Sequence, residues 1–431
     1  MSRTRRPMRR RTFLKLTASL ATSLLSAVPL RTARAGQLKG PLNARVVVVG
    51  GGFGGASCAL FLRRLNPAVK VLLVDPDERY VTCPMSNSVI AGLRGIESVR
   101  VSRRGLERAG VTYVRDSVSA VDTRRRRVRL TGGGGIAYDR LVMAPGIRLL
   151  WDKPEGYGPA AALTMPHAWQ AGPQTEILAA QLRGMRNGGV VAISVPAGPM
   201  RCPPGPFERA SLIAGYLREN NPRAKILIFD ANNHFPRQDV FSDAWQALYP
   251  GMIEWMSVID GGAVVRVEPA QKILYTSLGA HRADVANIIP AQAPALLAAQ
   301  SGLASDHGWC PIRPDTFESA LADHIHVIGD ACIADPMPKS ASAAHAQANQ
   351  CALAIIAGLE QRAAPEAPLE SVCYSLVARG RALSIHGRFR LEDGLMRQIA
   401  TPQDRDTASF EQEARNADEW YERIRRDSFG V

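Results

Sequence analysis

The hydrophobic pattern is sharpest between residues 45 and 75. Arg45–Val49 is an unbroken β-branched run, the mark of a strand covered on both faces. A glycine-rich turn follows, Gly50-Gly51-Gly52-Phe53-Gly54-Gly55, and then the helical stretch Ala56–Leu65. A second apolar run, Val71–Val74, ends at Asp75, twenty residues beyond Gly55. A weaker copy of the pattern lies further on: a strand at Gly189–Val195, a helix at Phe207–Leu217 and a strand at Ile226–Phe229 ending in Asp230. Two more buried strands are predicted, one closing on Ala144-Pro145-Gly146 and one, Ile325–Ile328, closing on Gly329-Asp330. Strand, turn, helix and strand in two copies predict an α/β chain with two parallel sheets. At 431 residues it is also too long for a single core.

The first turn carries chemistry. Gly50 permits the tight bend, Gly52 lets the backbone approach a pyrophosphate, and Gly55 allows close packing of helix on strand. The helix then aims its free N–H groups at the phosphates, and Asp75 is placed to accept hydrogen bonds from a ribose. Two later segments decide which dinucleotide binds. Tyr138-Asp139-Arg140-Leu141-Val142-Met143-Ala144-Pro145-Gly146 resembles the strand and turn of two-dinucleotide-domain flavoproteins, and Gly329-Asp330 stands where those proteins hold the ribityl chain. FAD is therefore the expected cofactor. The second copy differs at its turn, which reads Pro196-Ala197-Gly198-Pro199-Met200-Arg201-Cys202-Pro203-Pro204-Gly205-Pro206. Prolines lack N–H donors and fix φ, so this turn makes no amide cradle for a second pyrophosphate. NAD(P) is not expected as donor or acceptor.

Charge and cysteine content add two points. The net charge of +14 suggests a nucleic-acid binder until its distribution is examined. Residues 1–35 hold eight arginines, one lysine and no acid, which leaves about +5 for the rest and no nucleic-acid motif to use it. Those residues read as an export signal: Arg10-Arg11-Thr12-Phe13-Leu14-Lys15, an apolar run to about Leu30, and Ala33-Arg34-Ala35 before the cleavage point. The motif resembles a twin-arginine signal, with a general secretory signal or a membrane anchor as alternatives. The expected location is periplasmic, with no integral membrane segment in the mature chain. Seven cysteines (58, 83, 202, 310, 332, 351 and 373) in an oxidising compartment make at least one disulfide plausible, and the odd number leaves one for another task. Their spacing fits no metal or haem motif, so no metal is expected and any haem belongs to another chain. The Arg124–Arg127 run reads as a solvated hairpin turn.

Several stretches together resemble the flavoprotein subunit of flavocytochrome c sulfide dehydrogenase. They are VVVVGGGFGG (46–55), YVTCPMSNSVI (80–90), APGIRLLWDKPEGY (144–157), MPHAWQAGPQT (165–175), MRCPPGPFERAS (200–211), GWCPI (308–312), HVIGDACIADPMPKS (326–340) and VCYSL (372–376). The resemblance implies two dinucleotide-binding-like domains of the glutathione-reductase type plus a C-terminal α+β interface domain. It places the FAD-binding domain at 36–147 and 265–365, a degenerate second domain at 148–264, and the interface domain at 366–431. It further implies that FAD is tethered by its 8α-methyl group to Cys83. By residues alone, Cys83 is only one thiol of seven. The resemblance also implies a redox disulfide between Cys202 and Cys373, with Cys332 as the next candidate, and leaves open which sulfur is attacked.

On this reading, sulfide is oxidised to zero-valent sulfur and electrons leave to a c-type cytochrome. Lys339 is a candidate for balancing the charge of reduced flavin. Three rivals remain: a sulfide:quinone oxidoreductase, disfavoured by the polar C-terminus; an NADH dehydrogenase, disfavoured by the second turn; and a non-enzymatic accessory flavoprotein.

Overall fold

The computed structural model describes residues 44–365, 369–399 and 409–431; the export-signal reading falls on residues 1–35, outside that set. The first sheet is fully parallel, in the order Ile325–Val327, Arg140–Met143, Arg45–Val49, Lys70–Val74 and Thr112–Val114. Val46, Val47 and Val48 are completely buried at its centre, as a strand covered on both faces requires. Helix Phe53–Leu65 starts inside the glycine turn, three residues earlier than the side-chain pattern suggests, and packs on helix Ala341–Leu359. The hairpin strands Val118–Asp122 and Arg127–Leu130 flank a turn that holds Arg124, Arg125 and Arg126, and Arg127 opens the second strand.

The second sheet is parallel too, in the order Ile253–Met256, Lys225–Asp230, Val190–Val195 and Val285–Ile288. Its helix is Gly205–Asn220, longer at both ends than expected. The last of these strands corrects the domain boundary. Val285–Ile288 pairs with Val191–Ser194, so the chain between residue 265 and that strand belongs with the second sheet rather than the first. A four-residue apolar run looks alike in either sheet, and sequence alone does not say which one it joins.

The C-terminal segment forms the antiparallel strands Leu369–Ala378, Arg381–Glu392 and Leu395–Ile399 and the helix Phe410–Phe429. It has no separate core. Phe389, Trp420, Tyr421 and Phe429 join the first sheet's core, while Val377 and Leu383 join the second's. Ser409 caps the helix by accepting from Gln412 N, and Gly430 ends it at φ +68°. Thr82 and Tyr421 then bond hydroxyl to hydroxyl at 2.7 Å in a buried setting, fastening this helix to the loop that carries Cys83. Among the described residues no helix is long and apolar enough to cross a membrane.

Candidate active site

A cleft of about 610 Å³ opens at the carboxyl ends of the first sheet's strands, where open α/β sheets bind their ligands. Gly50, Gly52, Asp75, Cys83, Cys202, Gly329, Asp330 and Cys373 all line it. The glycines behave as their spacing requires. Gly50 sits at φ +96°, and a Cβ there would lie 2.2 Å from the Ala144 carbonyl oxygen. A Cβ on Gly55 would lie 1.9 Å from the Gly50 oxygen. Above Gly52, by contrast, the nearest atom is the Tyr80 hydroxyl at 3.7 Å, which leaves a cradle of backbone amides open to a pyrophosphate. These residues fit FAD.

Asp75 is already engaged. Its Oδ2 accepts from Gly51 N at 2.6 Å, and its Oδ1 accepts from Asp77 N and from Arg103 at 3.0 Å. Arg103 is 1% exposed, donates also to the Gly51 and Asp77 carbonyls, and lies over the Tyr80 ring. A buried guanidinium thus fixes both the glycine turn and the acid beside it. Nothing in the sequence around Ser102-Arg103-Arg104 marks it out. Arg103→Met leaves the Asp75 carboxylate without its ion-pair partner, a loss of about 1–3 kcal/mol. FAD affinity should therefore weaken roughly tenfold or more. Flavin titration in a Cys83→Ala background, where no bond to that sulfur can form, measures it.

The sulfur side is built by the second sheet. Cys202 precedes helix Gly205–Asn220 and adopts φ +51°, a left-handed conformation rare for a side-chain-bearing residue and costing of order 1–3 kcal/mol. Two bonds hold it there: its N–H donates to the Lys339 carbonyl and its carbonyl accepts from Gly205 N, both at 2.8 Å. A Cβ on Gly205 would lie 3.0 Å from Cys202 Sγ and from the Trp169 ring, so any larger residue there would press on the cysteine. Cys373 enters from strand Leu369–Ala378. Both stand as free thiols, as do the other five cysteines. Burial, and then each other's proximity, pushes the Cys202 thiol well up; burial does the same for Cys373.

Glu208, also in the cleft, accepts from Leu376 N at 3.0 Å and Asn87 Nδ2 at 2.7 Å, and burial raises its pKa. Arg209 beside it is 2% exposed and donates to Asn87, Asn287 and the His167 and Ala168 carbonyls. Sequence reading missed Glu208, Arg209 and Asn87, because charges acquire these partners only across folded segments.

Cys83 Sγ donates to the Trp169 carbonyl at 3.9 Å, and Arg201 donates to that same oxygen. Arg201 also faces Asp330 at 4.0 Å. Burial raises the Asp330 carboxyl, with Arg201 and Lys339 opposing. Lys339 makes its direct contacts away from Asp330. Its Nζ donates to the Cys332 carbonyl at 2.7 Å and lies 3.9 Å over the Trp309 ring, and the residue lines a second, smaller cavity. Cys332 is 1% exposed and turned into the core, donating to the Gly329 carbonyl at 3.2 Å. Cys58, Cys310 and Cys351 are fully buried. Among the described residues no group of three or more His, Cys, Asp or Glu is arranged to hold a metal ion.

His167 supports the Trp169 turn by accepting from Trp169 N at 2.9 Å, and it must be neutral to do so. Burial, then Arg209 and Arg201, pushes it down to about 4 from 6.5. The folded state then binds fewer protons than the unfolded one, so this contribution to stability is complete above about pH 6.5 and is lost towards about pH 4. Between about pH 7 and about pH 5 the loss is about 2 kcal/mol. Urea midpoints across that range should show it, with a shallower slope for His167→Asn.

A two-layer dinucleotide fold with one amide cradle and a cysteine pair facing it defines a flavin-dependent oxidoreductase. The chain belongs to the family of the flavoprotein chain of flavocytochrome c sulfide dehydrogenase. It is 64% identical over 45 residues, 10% of this chain and 94% of the relative, to that flavoprotein chain from Chlorobaculum thiosulfatiphilum. Family models match in three parts: a pyridine nucleotide-disulphide oxidoreductase region at 44–155, the central region of the sulfide dehydrogenase flavoprotein chain at 175–290, and its flavin-binding region at 365–429. The central match ends just after Val285–Ile288, in keeping with the sheet pairing. Mouse mitochondrial sulfide:quinone oxidoreductase is 26% identical over 324 residues, 70% of this chain and 68% of that one. The sulfide:quinone oxidoreductase structure from Aquifex aeolicus shares the fold, with a TM-score of 0.71 at 17% identity, covering 90% of this chain and 93% of that one.

Proposed function

We propose that this protein is a periplasmic sulfide dehydrogenase that oxidises sulfide to zero-valent sulfur or polysulfide and passes electrons to a c-type cytochrome. The observation that carries the reading is the convergence of Cys202 and Cys373 on the cleft that holds the glycine cradle and Asp330. In this reading the pair cycles through a disulfide. Hydrosulfide attacks one sulfur; the S–S bond breaks, one cysteine carries a persulfide and its partner leaves as thiolate. FAD, when bound, supplies a two-electron acceptor that can discharge one electron at a time to a haem.

The chain's own residues do the rest. Glu208, with its raised pKa, holds or takes a proton beside the two sulfurs at a pH where an ordinary carboxylate no longer can. The strained Cys202 backbone sets the direction of its sulfur before substrate arrives. Cys83 faces the cleft from the loop pinned by Tyr421, which suits a thioether to the flavin's 8α-methyl group. Exclusion of NAD(P) is supported by Asp230, where a second ribose would be expected. That carboxylate is fully buried and accepts from Asn232 on one oxygen and Trp255 Nε1 on the other.

The test is anaerobic titration with sulfide followed by turnover. Flavin bleaching, then reoxidation by soluble cytochrome c but not by a short-chain quinone, is the expected result. Bleaching with quinone-only reoxidation would make it a sulfide:quinone oxidoreductase, and no bleaching would sink the enzyme reading.

A further inference from the structure

The second sheet has a proline-rich first turn in place of a glycine cradle, but it keeps a crevice. A cavity of about 230 Å³ lies at the carboxyl ends of Val190–Val195 and Lys225–Asp230, the position where a sheet of this kind takes a ligand. It has under half the volume of the flavin cleft. Met200, Pro203, Phe207, Phe235, Met337 and Lys339 carry its chemistry. One loop separates it from the flavin site: Arg201 and Cys202 face the flavin cleft, while their neighbours Met200 and Pro203 line this cavity. The bond from Cys202 N to the Lys339 carbonyl zips its two walls together at the cysteine.

We infer that this cavity binds an inorganic polysulfide chain, the product class of the sulfide-oxidising reading on which this inference rests. A nucleotide requires backbone donors and a ribose carboxylate within reach; prolines fill the wall, and Asp230 is fully buried. A sulfur chain requires something else. Its body is apolar and polarisable, suited to two methionine thioethers and the stacked rings of Phe207 and Phe235, whose centroids are 3.6 Å apart. Its terminus is anionic, and Lys339 is the cation among the lining residues, its ammonium having to swing from the Cys332 carbonyl and the Trp309 ring to meet it. Asp335 is exposed at the outer rim with His234.

Gly198 lines the cavity, and a Cβ there meets only Asn232 Oδ1 at 4.0 Å, so a larger side chain can be built into the space. The experiment is equilibrium dialysis of Cys202→Ala holoprotein against sodium tetrasulfide, with bound sulfane sulfur counted by cyanolysis. One saturable site is expected. Its occupancy is lost on desalting, whereas a persulfide survives that step. Adding Gly198→Phe should weaken binding at least tenfold with flavin content unchanged. Unaltered binding in that variant, or binding seen only when Cys202 is present, would overturn the inference. If Gly198→Phe fails to load FAD, His234→Trp at the exposed mouth decides: unchanged tetrasulfide affinity and entry rate would equally overturn it. Absence of sulfide-driven bleaching in wild type refutes the dehydrogenase reading instead, because the dialysis reports on the cavity alone.

Discussion

Cys202→Ser and Cys373→Ser should each cut sulfide-dependent flavin reduction by roughly a thousandfold or more, about 4 kcal/mol of barrier. The size follows from chemistry rather than from packing. A serine fills nearly the same volume but forms no disulfide, so hydrosulfide has no sulfur to attack and must reduce the flavin unaided. The two variants should fail alike, because either one removes the bridge, and the double variant should lose little more than a single one. Both side chains face the cleft without bearing on the amide cradle around Gly50 and Gly52, so FAD content should stay at the wild-type level. Stopped-flow bleaching with sulfide, against dithionite as a control that bypasses the cysteines, separates lost chemistry from lost cofactor. Wild-type rates in either variant would remove the pair from the mechanism and return attention to Cys332, although its burial and turn into the core already argue against it.

The second large effect concerns Cys83. Acid precipitation should leave the flavin with the wild-type pellet and release all of it from Cys83→Ala. The protein of that variant should still bind FAD, because the open turn at Gly50–Gly52 and the Arg103 that fixes it do not depend on Cys83. Release of flavin from wild type would mean that the cysteine lines the cleft without bonding to the cofactor. A thioether withdraws electron density from the ring, so the untethered variant should also show a lower flavin potential and slower reduction by sulfide, measurable by redox titration.

What could be read from the sequence divides along a physical line. The glycine cradle was legible because each glycine answers a local demand: a positive φ at Gly50, a backbone contact at Gly55. The prolines of the second turn were legible for the same reason, since a missing N–H is a property of the residue itself. The buried charges were not. Arg103, Glu208 and Arg209 take meaning from partners on distant segments, such as Asn87 facing Glu208 across 121 residues. Membership of Val285–Ile288 in the second sheet was hidden likewise, because pairing is a choice between two equally apolar neighbours. Lys339 was read from its place along the chain; its charge does act on Asp330, while its ammonium makes its direct contact with the Cys332 carbonyl. Cys83, Cys202 and Cys373 were singled out by resemblance alone, and the fold brings all three to the lining of one cleft.

The bond between Thr82 and Tyr421 spans 339 residues. Contacts so far apart in the chain form late, because the intervening loop must be ordered before they return any free energy. The pairing of Arg45–Val49 with Lys70–Val74 around the glycine turn is local and has no such wait. Assembly is therefore expected to be ordered, with that pair of strands early and the Cys83 loop locked only when the helix carrying Trp420 and Tyr421 docks. The same helix adds Trp420 to the lining, so the cleft is complete only after the last segment of the chain has found its place.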